Sequence, residues 1–174
     1  MTEQEKLSKI LDICKTYIGL KENPPNSNNV IFNTRFYGHE VNDLIDKTKT
    51  HPWCGTSVSE IYQEALCPLG VIDYRRGFAG VPYAINNISK WGKFVSAKDA
   101  KPGYIVFYKF KNAKGVYEWA HTGILGSYIV ENKFDAFEGN TGVGNDSNGG
   151  EFMDRYRTYS PDLVLIARPN CLDK

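Results

Sequence analysis

The sequence lacks any apolar run long enough to cross a bilayer, and its first residues, Met1-Thr2-Glu3-Gln4-Glu5-Lys6, are charged where a secretory leader would be apolar. It also lacks an excess of charge of either sign. Lys and Arg total 21 against 20 Asp and Glu, a formal net charge of +1, so no strong field argues for nucleic acid. Cysteine is scarce. The four residues at 14, 54, 67 and 171 are too few and too scattered to read as a disulfide framework. Zinc wants four convergent N or S ligands, and His51-x-x-Cys54 is one close pair with no second to follow. Histidine is scarcer still, with three residues, so an imidazole base must come from His39, His51 or His121.

What remains is the composition of a folded domain. Of 174 residues 41% are hydrophobic and 24% charged, enough for one domain over 1–174. Glu3 to Ile18 reads as a helix, with a stripe of Leu7, Ile10, Leu11, Cys14, Tyr17 and Ile18 and a capping box formed by Thr2 and Glu5. Val30 to Tyr37 stays open between helix and coil, and Val41 to Pro52 reads as irregular surface. Pro82 opens a short helix that runs to Gly92. Strands are expected at Tyr104–Phe110, Trp119–Leu125, Tyr128–Glu131, Asp135–Glu138, Phe152–Tyr159 and Leu163–Arg168. Helices first and then five or six antiparallel strands is an α+β pattern. Pro169 to Lys174 reads as a domain end or the start of a linker.

One stretch carries chemistry. After Pro52-Trp53-Cys54, apolar residues fall at Val58, Ile61, Tyr62, Ala65 and Leu66, one face of a helix. Pro52 disfavours helix for His51, so the helix begins close to Cys54. A thiol at a helix N-terminus meets unpaired backbone N–H groups and the positive dipole end, which favour thiolate, the nucleophilic form. The alternative is a buried, inert cysteine opening a core helix. A nucleophile of this kind needs a base. His39 lies in a polar loop, and Pro52 turns His51 away from Cys54. His121 heads the strand-like run His121-Thr122-Gly123-Ile124-Leu125, where a strand fixes its direction. A base in turn needs an orienting partner. Glu138 and Asn140 share a face if their strand continues, and either side chain could accept the imidazole N–H. Glu138-Gly139-Asn140-Thr141-Gly142 is also good turn sequence.

Taken together, Pro52-Trp53-Cys54, Lys101-Pro102-Gly103 before an apolar strand, His121-Thr122-Gly123-Ile124, Glu138-Gly139-Asn140-Thr141 and the final Leu165-Ile166-Ala167-Arg168-Pro169 resemble the CHAP domain, the cysteine, histidine-dependent amidohydrolase/peptidase family of phage endolysins and autolysins. The resemblance spans about 29–169. It implies a papain-like fold and cleavage of an amide bond in bacterial peptidoglycan, by an amidase or an endopeptidase. It assigns Cys54 as nucleophile and His121 as base, with Glu138 orienting His121 and Asn140 completing the set. Trp53, Trp119, Tyr108 and Tyr117 are the candidates for lining a groove for sugar or peptide, with core packing the competing reading for most of them. Tyr104 departs from the family, standing where many relatives carry Asp. Some relatives bind calcium just before the cysteine. Here Asp43 and Asp46 are followed by Lys47 and Lys49, a poor oxygen cage, so no metal or other cofactor is expected. With no leader, the protein is expected to be made in the cytoplasm and to reach the wall through a holin pore or lysis. A wall-binding domain beyond residue 174 is a further expectation. A non-catalytic wall-binding module and an intracellular cysteine protease or deamidating effector are the alternatives.

Overall fold

The computed structural model describes residues 1–73 and 75–174. Three helices lead the chain: α1 (Glu3–Tyr17), α2 (Ile31–Tyr37) and α3 (Cys54–Glu64). The capping box on α1 is formed, with the Thr2 amide donating to Glu5 at 2.7 Å and the Glu5 amide donating back to the Thr2 hydroxyl at 3.3 Å. The segment left open at Val30–Tyr37 is helical and stops at Gly38, whose left-handed backbone donates back to the Thr34 carbonyl. A two-stranded ribbon, β1 (Val71–Asp73) and β2 (Arg75–Arg76), follows. The single helix expected after Pro82 is broken at Asn87 into α4 (Val81–Asn86) and α5 (Ile88–Trp91).

The remaining strands form one antiparallel sheet: β3 (Gly92–Val95), β4 (Ile105–Lys111), β5 (Tyr117–Leu125), β6 (Lys133–Thr141), β7 (Glu151–Thr158) and β8 (Val164–Pro169). Their spatial order is β3-β8-β4-β5-β6-β7. This is an α+β fold, with helices packed on a six-stranded sheet. Helix α3 lies across β5 and β6 at the middle of that sheet. Its apolar face, Val58, Ile61 and Tyr62, is buried with Leu7 and Ile10 of α1 and Ile105 and Phe107 of β4 in one core.

Two expectations are corrected. Tyr128–Glu131 is not a strand: Glu131 and Asn132 take positive φ, and Val130 bridges Lys133 in a tight reversal that feeds β6. β-branched and aromatic composition gave way to turn geometry there. The cysteines do pair in part, since Cys67, just past α3, is disulfide-bonded to Cys171 across 104 residues of sequence. The tail packs on the domain as a 3-10 turn, Asn170–Asp173, with Cys171 and Leu172 buried. The buried Lys6 ammonium donates to the Cys171 carbonyl at 2.9 Å, and Arg168 bonds both Asp173 and Glu3.

Candidate active site

Cys54 is the first residue of α3. The Ser57 amide closes onto the Trp53 carbonyl at 3.0 Å, so the amides of 54–56 precede the hydrogen-bonded ladder. The start of α3 is fixed from below. Thr56 donates to the Asn33 side chain at 2.7 Å, and Asn33 donates to the His51 and Asn28 carbonyls at 2.8 Å each. Cys54 keeps 4% of its surface exposed, whereas His121 and Glu138 keep none.

His121 sits in the middle of β5 at an irregularity of the sheet. Tyr108 pairs with His121 and Lys109 with Trp119, which leaves Ala120 as an extra residue. Such bulges re-aim side chains. The imidazole lies beside the rings of Tyr108 and Phe110, with centroids at 5.9 and 5.7 Å from its own. Its Nε2 hydrogen-bonds Glu138 Oε2 at 2.9 Å. Nδ1 has no conventional hydrogen-bond partner and is the nitrogen free to meet the Cys54 sulfur. Burial pushes the imidazole pKa down, but the Cys54 side chain and Glu138 outweigh it and raise it from 6.5 to about 9.

Two glycines make the approach possible. The regular β5–β6 ladder consists of Ile124–Phe137 and Leu125–Ala136, and a Cβ on Gly123 would sit 2.7 Å from Glu138 Cγ. On β6, a Cβ on Gly139 would sit 2.5 Å from Ser57 Oγ and 2.8 Å from Trp53 Cε3, so only glycine lets β6 pass under the head of α3.

Glu138 has a second partner that sequence reading missed. Arg157 of β7 forks onto it, with Nε to Oε1 at 2.9 Å and Nη2 to Oε2 at 2.5 Å. Burial raises the Glu138 pKa, but Arg157 and His121 prevail and hold it at about 2. Arg157 also donates to Asp146 of the glycine-rich loop at 2.9 Å, and Arg155 reaches the same oxygen at 2.6 Å. The signal was present in the alternation of Met153, Arg155 and Arg157, but the face they share is known only once β7 is paired to β6.

Asn140 is placed differently from the expected fourth member. The β6–β7 register shifts between Glu138 and Thr141, and Asn140 has φ 57°, so the alternation that would put it on Glu138's face is interrupted. Its side chain donates to Asn148 and accepts from the Gly150 amide, both at 3.2 Å, and so holds the glycine-rich loop. The four aromatics divide as well. Trp53 is fully buried and stacks on Phe32, and Tyr108 is buried beneath His121; neither lines a groove. Trp119 and Tyr117 do, in a cleft of about 660 Å³ with Pro82, Lys109, Glu118 and Ala120. One of its lining residues, Ala120, immediately precedes His121 on β5, and the Ala79 carbonyl, just before α4, packs on Gly55 next to Cys54. Lys109 stands over the Trp119 ring at 4.9 Å. The departure at Tyr104 has a structural use, since its hydroxyl donates to Glu3 at 2.8 Å and ties β4 to α1.

The other histidines lie apart from this cluster. His51 is engaged by Asp43, Nδ1 to Oδ1 at 2.6 Å, and His39 is exposed. Among the described residues no group of three or more His, Cys, Asp or Glu side chains converges as a metal site. No protein-family model matches the chain, and no curated protein matches it.

Proposed function

We propose that the chain is a cysteine amidohydrolase or endopeptidase of bacterial peptidoglycan. The observation that carries the catalytic part is the buried array in which Cys54 opens a helix against a histidine whose far nitrogen is held by a carboxylate. This is the arrangement nucleophilic catalysis by sulfur requires. The wall as substrate rests on the resemblance to CHAP domains. The Cys67–Cys171 bond supports work outside the reducing cytoplasm, where disulfides persist.

In this mechanism His121 takes the Cys54 proton and the thiolate–imidazolium pair forms. The sulfur attacks an amide carbonyl of the wall peptide, and the Cys54 amide at the helix start helps hold the oxyanion. His121 then returns its proton to the leaving amine as the C–N bond breaks. Water attacks the thioester, His121 accepts a proton from it, and the free acid leaves with Cys54 restored. Glu138 keeps the imidazole in one orientation throughout. Trp119 and Tyr117 form a wall of the cleft that, in this reading, receives the strand being cut. The test is digestion of purified Gram-positive peptidoglycan by wild type and Cys54→Ser, with new termini identified by mass spectrometry. New amino termini from the wild type alone are expected. A free stem L-Ala identifies an amidase and an internal amine an endopeptidase. Equal release by both proteins would overturn the scheme.

A further inference from the structure

Glu138 is shared, and its second partner is built as carefully as its first. Arg157 is 11% exposed at the side chain, meets both carboxylate oxygens, and lies over the rings of Tyr108 and Phe110 with its Cζ at 5.3 and 5.6 Å from their centroids. Those are the same two rings that lie beside His121. The aromatic pair therefore sets the imidazole and the guanidinium in one frame, with Glu138 between them. The outer nitrogen of Arg157 is anchored by Asp146, which Arg155 also holds.

We propose that Arg157 is a positioning residue of the reactive centre: by forking Glu138 it fixes the carboxylate that orients His121 and supplies the positive charge that lets the Cys54 thiolate, the imidazolium and Glu138 coexist out of water. Cys54, His121, Glu138, Arg157, Asp146 and Arg155 then alternate in sign along one line. Without Arg157, a thiolate and a carboxylate would share one imidazolium in a buried site and leave a net negative charge, which burial penalises. Glu138 would escape by taking a proton, and His121 would lose its anchor. Lysine is a poor substitute, because a point charge cannot meet both oxygens and Asp146 at once. The groups that bear on Glu138 are Tyr108 from β4, His121 from β5 and Asp154 and Arg157 from β7, with Asp146 of the loop reaching it through Arg157. Of these, Asp154 and Asp146 are acidic, and Arg157 is the permanent cation bonded to both carboxylate oxygens.

This inference uses the nucleophile and base of the reading above but not its substrate, so its test needs no peptidoglycan. The rate of Cys54 alkylation by iodoacetamide is followed by peptide mass from pH 4 to 9 in wild type, Arg157→Met and Arg157→Lys, with near-ultraviolet circular dichroism as the check on folding. Cys14, fully buried, is the internal control. The expected result is that the acid-side midpoint of the alkylation rate moves to higher pH by one unit or more in Arg157→Met, about a tenfold loss at the foot of the curve. Arg157→Lys is expected to recover part of the shift. A folded Arg157→Met with the wild-type profile would overturn the proposal. If that variant does not fold, Arg157→Lys decides, with an unchanged midpoint overturning the proposal and an upward one supporting it. Failure to cut any wall, combined with the expected shift, would remove the proposed substrate and leave the role of Arg157 standing.

Discussion

Replacing Glu138 by Gln removes one charge from the centre of the buried array and changes almost nothing in its size. The Gln oxygen can still accept the Nε2–H of His121, so orientation is largely kept. The electrostatics reverse. In the wild type the imidazole is raised from 6.5 to about 9, which corresponds to about 3 kcal/mol in favour of the charged ring. With an amide in place of the carboxylate, burial and the nearby Arg157 guanidinium both oppose that charge. The Cys54 side chain is then the only group left favouring the charged ring, and the imidazole is expected to titrate well below its wild-type value of about 9. At neutral pH it is uncharged, the thiolate–imidazolium pair is lost, and Cys54 alkylation and amide cleavage fall by about a hundredfold or more. Stability changes in step. A histidine raised on folding contributes stability that is complete below pH 6.5 and lost as pH rises through about 9. Glu138, lowered on folding, contributes stability that is complete above 4.5 and lost as pH falls through about 2. Both contributions vanish in Glu138→Gln, whose stability is expected to be about 3 kcal/mol lower, since Arg157 is left without its carboxylate, and flatter between pH 6.5 and 9. The assays are an NMR titration of the His121 ring and urea unfolding across that range. A folded variant in which His121 still titrates above about 8 would show that Glu138 is not what holds the ring charged.

Other substitutions probe separate parts of the same reasoning. Gly123→Ala puts a methyl 2.7 Å from Glu138 Cγ and from the Phe137 carbonyl. It is expected to cost about 1–3 kcal/mol in urea unfolding and to lower activity by displacing the carboxylate; a variant as stable and active as wild type would count against the packing argument. The Cys67→Ser, Cys171→Ser double variant opens a loop of 104 residues and is expected to lose about 4–5 kcal/mol, read as a drop in the urea midpoint relative to the oxidised protein. Equal midpoints would mean that the bond constrains nothing the fold does not already hold. Trp119→Ala is expected to raise KM for wall fragments several-fold with a smaller change in kcat, and the reverse split would move Trp119 out of the cleft's binding role. Chelation is expected to leave hydrolysis unchanged, against which a loss restored by calcium would be decisive.

Features written in neighbouring residues were legible in the sequence. Thr2 and Glu5 are three apart and cap α1 reciprocally, and the steric effect of Pro52 on His51 is local, so the start of α3 at Cys54 followed from chain geometry. Alternation was legible only while the strand stayed regular. Glu138 and Asn140 share a face on an ideal strand, but the register shift and the positive φ of Asn140 interrupt that pattern, and the amide that was expected in the site instead ties down the glycine-rich loop. By residue type alone Trp53 suits a groove or a core. Its neighbours in space, Phe32 and Gly139, make it part of the core.

What stayed hidden has one physical origin. Cys67 meets Cys171 across 104 residues, and no property of either residue distinguishes it from Cys14. Arg157 meets Glu138 across 19 positions and over a register that the pattern alone leaves undefined. An arginine on an alternating strand reads as a solvated charge until strand order puts β7 beside β6. Identity and local spacing select the groups able to do chemistry, the thiol, the imidazole and the carboxylate. Their charge states are set by what the sheet places behind them. For Glu138 that is a guanidinium held by two aromatic rings and an aspartate from another loop, and each of those contacts exists only in the folded chain.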